Sequence, residues 1–125
     1  MMTEHSIAGI EKALEAGGGT HTVGDVVRQI LAGDAQLWED EDALIVTEIN
    51  VYPRKALVHF WLATGELDAV VRLSHRVLEW ATDTMGCDGA TLSGRKGWVK
   101  ALKGEGWNEM VTVMERPLGP GGIGQ

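Results

Sequence analysis

Residues 56–86, ALVHFWLATGELDAVVRLSHRVLEWATDTMG, constrain this chain more than any other stretch. The run ALVHFWLA is almost continuously apolar, which suits a strand covered on both faces, since a half-solvated strand would alternate. It therefore reads as a central strand. After Thr64-Gly65, residues Leu67, Val70, Val71, Val77, Leu78, Ala81 and Met85 recur at spacings of three and four, which predicts a long amphipathic helix closed by Gly86. A doubly covered strand feeding a long helix requires a layered sheet with helices on both faces.

Flanking segments supply the other layers. Ile7, Ile10 and Leu14 have helical spacing in SIAGIEKALEA, and Gly17-Gly18-Gly19 ends that helix, because successive glycines cost too much backbone entropy to continue it. The helix reads as detachable: residues 1–19 form an N-terminal helix and glycine linker, and 20–117 the main domain. In THTVGDVVRQILAG a second helix carries Val23, Val26, Val27, Ile30 and Leu31 on one face, with Thr22 and Asp25 as a box-like start and Gly33 as a stop. Two β-rich runs, Ala43 to Val51 and Lys55 to Ala63, flank Tyr52-Pro53-Arg54 and predict a hairpin. A short leading strand, Gln36 to Trp38, joins it through Glu39-Asp40-Glu41-Asp42.

Beyond the long helix the pattern predicts a short strand, Ala90 to Ser93, and a short helix in RKGWVKALKGEGW with Trp98, Val99 and Leu102 on one face. A closing strand, Asn108 to Glu115, follows. Strand, helix, strand order with a crossover of this length implies a parallel pair, so the sheet is mixed. Residues 118–125 are too rich in glycine for regular structure and predict a flexible tail. The expected class is α/β (α+β), in the order α-α-β-β-β-α-β-α-β.

A length of 125 residues supports one core, and 44% hydrophobic with 23% charged residues is a soluble globular composition. The net charge of -7 works against nucleic-acid binding, which needs clustered Lys and Arg. Cys87 is the only cysteine, which excludes an intrachain disulfide and a Cys-based zinc cluster. His5, His21, His59 and His75 are scattered without metal-ligand spacing. The acidic N-terminus lacks a secretory pattern and no apolar run approaches the roughly 18 residues of a membrane span, which predicts a chain made in a reducing compartment.

Few residues carry recognisable chemistry. Glu39 to Asp42 would need ligands converging from several directions to hold a cation, and at a strand turn they read as solvated. The stretch GRKGWVKALKGEGW has glycines and lysines but neither the P-loop pattern nor the dinucleotide fingerprint. Gly94 frees its strand-to-helix turn, Gly104 and Gly106 end its helix, and Trp98 and Trp107 pack on the sheet. Arg95 and Lys96 stand at the helix start, where they could meet an anion. His59 lies in the central strand and is a candidate general base, weighed against an ordinary packed ring. Ser74-His75 and Ser93 lack the partner of an activated nucleophile, and Cys87, after a helix end, reads as inert.

Two helices, a three-strand meander, a long helix, a strand, a short helix and a strand make the order of the GNAT acetyltransferases, which residues 34–117 resemble. The segment ending in Gly106-Trp107 is similar to the family's C-terminal helix with its small-residue turn and aromatic. In that family the acetyl-CoA pyrophosphate is held by a Gln/Arg-x-x-Gly-x-Gly/Ala loop before the long helix, whose amides point at the anion. Here the place holds Leu62-Ala63-Thr64-Gly65-Glu66-Leu67-Asp68: Gly65 remains, while Glu66 and Asp68 bring negative charge. Leu102 stands where the family usually has a tyrosine acid, and one family strand is missing before the tail.

The resemblance thus implies the GNAT fold without the family's chemistry. The YPRK hairpin and the GRKGW segment are also similar to proteins encoded in tailed-phage structural gene clusters. That implies a non-catalytic virion component, internal, ejection-associated or connector-associated, made in the host cytoplasm and needing no cofactor. It would contact other virion proteins through Arg95, Lys96, Trp98 and Trp107 or the N-terminal helix; homo-oligomerisation stays open. The alternative is an N-acetyltransferase with a divergent loop. Acetyl-CoA would then lie in the splay between strands ending at Ala63 and Ser93, against Ala63, Thr64 and Gly65, with His59 or Glu48 as base. A nucleic-acid binder using residues 95–103 is a third reading, opposed by the overall charge.

Overall fold

A computed structural model describes residues 3–15, 20–93, 96–111 and 113–119. Its elements are α1 (Glu4–Glu15), α2 (Val23–Ala32), β1 (Gln36–Glu39), β2 (Ala43–Val51), β3 (Ala56–Gly65), α3 (Leu67–Asp83), β4 (Gly89–Leu92) and α4 (Lys96–Leu102), the last followed by a 3-10 turn at Lys103–Glu105. The chain forms two compact units, Met1–Ser93 and Gly94–Gln125. The glycines at 17–19, Gly94, Arg95 and the tail at 120–125 lie outside the described residues.

The first unit holds a sheet in the order β1-β2-β3-β4. Its first two pairings are antiparallel and the third, β3 with β4, is parallel, as the helical crossover through α3 requires. β3 is therefore interior, and the pleat sends its successive side chains to opposite faces. Leu44, Val46 and Leu62 join Ile10, Ala13 and Val26 in a core under α1 and α2. α3 packs on β1, β2 and β3, so helices cover both sides of the sheet.

Local chemistry explains the α2 ends. The Thr22 N–H donates to Asp25 Oδ2 at 2.8 Å and the Asp25 N–H returns the bond to Thr22 Oγ1 at 3.2 Å, a complete capping box. Gly33 closes the helix at φ 85°. Asp40 builds the turn before β2, its Oδ1 accepting from the N–H groups of Asp42 and Ala43 at 2.8 and 2.9 Å. The acidic run is thus a turn device, and no group of three or more His, Cys, Asp or Glu among the described residues gathers to hold a metal.

Four expectations need correction. The N-terminal helix, which reads from sequence as detachable, packs into the sheet core. Ile10 is 0% exposed in the sheet core, and the buried Ser6 hydroxyl donates to Glu39 Oε1 at 2.7 Å and Oε2 at 2.9 Å, fastening α1 to β1. The buried stripe of α3 runs through Ala69, Val70, Leu73, Ser74, Val77 and Ala81; Leu67 and Met85, near its ends, are exposed because the sheet does not reach them. Leu31, at the last turn of α2, is also solvent-facing.

Finally, the closing strand expected at Asn108 to Glu115 is not formed. Met110, Val111, Val113 and Met114 are 72, 69, 84 and 89% exposed, and the described residues there have no regular structure. A strand exists through its ladder, and among the described residues the sheet's four strands do not extend to this segment.

Candidate functional site

The β3–α3 junction is where the resemblance would place a cofactor. Gly65 has φ 126°, and a Cβ built on it would lie 2.2 Å from the Asp42 carbonyl oxygen and 2.6 Å from Ala43 Cα. Gly65 pairs with Ala43 across the hairpin, and the next N–H, of Glu66, donates to the Asp42 carbonyl at 3.0 Å. The one glycine of the loop that the chain retains is therefore required by its own hairpin. Ala63 and Thr64 before it are half-buried.

α3 then opens with Glu66 as N-cap, whose side chain makes no capping bond, and Asp68 in the first turn. Both carboxylates are exposed, and they favour the positive end of the helix dipole themselves. Between Trp61 and Val71 there is no Lys or Arg. This set does not fit a pyrophosphate: at the opening of α3 an anion would meet two carboxylates and no cationic side chain from residues 62–70.

A second group of polar residues lies across the sheet. Glu48 pairs with His59 on the neighbouring strand, and His59 pairs with Thr91 on the next, so the three stand in one row on β2, β3 and β4. His59 Nδ1 lies 2.8 Å from Thr91 Oγ1. Burial holds the imidazole below its ordinary pKa, and the Glu48 carboxylate works against that shift. Near neutral pH the ring is uncharged, and Nε2 makes no hydrogen bond among the described residues. A neutral imidazole flanked by a carboxylate and a hydroxyl can accept a proton.

Beyond this row the sheet opens. β4 pairing stops at Phe60 with Leu92, whereas β3 runs on to Gly65, so residues 61–65 have no β4 partner on that side. Trp61 is an extra residue in β3, since Thr47 pairs with Phe60 and Val46 with Leu62; this is a β-bulge, and Trp61 carries the His21 ring edge-on at 4.9 Å. The two strands end at Gly65 and Leu92 instead of Ala63 and Ser93, so β3 continues past its last pairing with β4.

Structure thus brings His59 and Glu48 together and adds Thr91, which the sequence reading missed. Thr91 is an ordinary strand threonine until the β3–β4 register is known. In the other unit, Leu102 is 5% exposed, a core residue where the family's acid would stand. Trp98 and Trp107 are half-buried, and the Trp107 N–H donates to the Leu102 carbonyl at 3.4 Å. Lys96 opens α4, too short a helix for an anion site, and Arg95 lies outside the described residues. His75 is exposed on α3. The Cys87 thiol is pushed up by burial and by Asp88, which disfavours the thiolate.

Comparison with solved structures decides the fold. Over 94% of this chain and 95% of the other, it superposes on TTHA1254 of Thermus thermophilus with a TM-score of 0.64 at 21% identity. An acetyltransferase of Trypanosoma brucei gives a TM-score of 0.67 over 94% of this chain and 96% of the other, at 10% identity. The chain has an acetyltransferase fold. No protein-family profile matches its sequence, and no curated protein matches it. The row at Glu48, His59 and Thr91 lies on β2, β3 and β4, before the point where β3 runs on past β4, and the β3–α3 junction carries Glu66 and Asp68.

Proposed function

We propose that this chain is a non-catalytic protein of acetyltransferase fold that works by protein–protein contact in a tailed-phage particle. One observation carries the reading: Glu66 and Asp68 place two carboxylates at the opening of α3, where an acyl-CoA pyrophosphate would meet like charge. The buried Leu102 supports it, because it leaves the place of the family's proton donor without an ionisable group. The exposed Met110, Val111, Val113 and Met114 are surface of the kind that contacts other proteins. The phage assignment rests on the resemblance of the hairpin and of the 94–107 segment. Mass spectrometry of purified particles tests it: the chain is expected as a stoichiometric component, and its presence only in the lysate would overturn the assignment.

A second reading is favoured by the Glu48, His59, Thr91 row. On it the chain is an amine acyltransferase in which His59 removes the proton of an amine and Glu48 supports the resulting imidazolium. Turnover of an acyl-CoA with any amine, abolished by His59→Ala, would establish this reading and sink the first.

A further inference from the structure

We propose that Thr91 is the positioning residue of His59, its Oγ1 accepting a hydrogen bond from Nδ1–H so that Nε2 keeps its lone pair. The inference rests on the second reading, in which His59 is the base.

Thr91 is the parallel-register partner of His59, and its Oγ1 is 2.8 Å from Nδ1, which ties the ring to one strand. Glu48 stands across the other strand boundary and makes no hydrogen bond to the ring among the described residues. Nε2 is therefore the nitrogen left for a ligand, and it can take a proton only if the ring's single proton sits on Nδ1. A free imidazole does not hold that tautomer alone; the partner of the other nitrogen sets it. A threonine hydroxyl can accept the hydrogen bond from Nδ1–H through an oxygen lone pair and turn its own hydrogen elsewhere. Both residues are half-buried, so water competes poorly for that bond.

The test is nitrogen NMR of the imidazole in the intact chain, which reports tautomer whether or not the chain catalyses anything. The wild type and Thr91→Ser are expected to show protonated Nδ1 and unprotonated Nε2 near neutral pH. Thr91→Val, which keeps the branched shape and loses the acceptor, is expected to lose the unprotonated Nε2 signal to the other tautomer. A wild-type ring protonated on Nε2, or a Thr91→Val ring with an unchanged tautomer, overturns the proposal. If Thr91→Val fails to fold, Thr91→Ala removes the same acceptor and is read in the same way. Absence of acyl-CoA turnover would remove the second reading and leave the tautomer result standing, so the two failures are separable.

Discussion

Gly65 reaches the left-handed half of backbone space because the Asp42 carbonyl leaves no room for a side chain. Gly65→Ala combines a strained φ with a clash against backbone and is expected to lose on the order of 3 kcal/mol of stability, read from the urea midpoint. The sequence marked this glycine as a remnant of an anion loop; the hairpin contact that explains it depends on β2–β3 register, which no local pattern displays. His59 gives a pH prediction. Its folded pKa is held below the ordinary 6.5 by burial, with Glu48 opposing. As pH falls, the unfolded chain takes up the proton first, so this contribution is present above about pH 6.5 and is lost as pH drops toward the folded value. Denaturant midpoints taken from roughly pH 8 to 5 should fall more steeply for the wild type than for His59→Gln; identical slopes would contradict the assignment.

At the scale of elements, α1 is the test of what belongs to the core. Ile10→Ala is expected to cost about 2–5 kcal/mol, the range for a fully buried aliphatic, whereas a detachable helix would lose little in thermal unfolding. Thr22→Ala removes half of the α2 capping box and should cost about 1 kcal/mol. The Asp25 carboxyl in that box is held below its usual range by the Thr22 N–H first and the Thr22 side chain next, so its share is lost as pH falls below the ordinary 3.8. Capping and periodicity made α2, the hairpin strands and the length of α3 legible, because those signals act between residues close in sequence. Which turn of α3 faces the sheet was not legible: Val70, Val77 and Ala81 were placed correctly, but Leu67 and Met85 carry the same periodicity beyond the sheet's reach. Asn108 to Glu115 failed for a related reason, since composition can nominate a strand but only a neighbouring edge can pair it.

For the whole molecule, fold and chemistry separate. The layered order of elements, readable from the sequence, is the order of an acetyltransferase fold, and structures at 10 and 21% identity superpose on nearly the full chain. Fold alone does not carry the reaction. On the reading proposed above, the obstacle to an acyl-CoA pyrophosphate at the β3–α3 junction is electrostatic: carboxylates at a helix N-terminus in a chain of net charge -7. The most direct measurement is calorimetric titration of the full chain with coenzyme A and acetyl-CoA, alongside thermal unfolding at millimolar ligand. No heat of binding and no rise in unfolding temperature are predicted. A ligand bound at about 10 μM would instead add about 2.7 kcal/mol of stability at millimolar concentration, and that result, with saturable heat, would contradict the account.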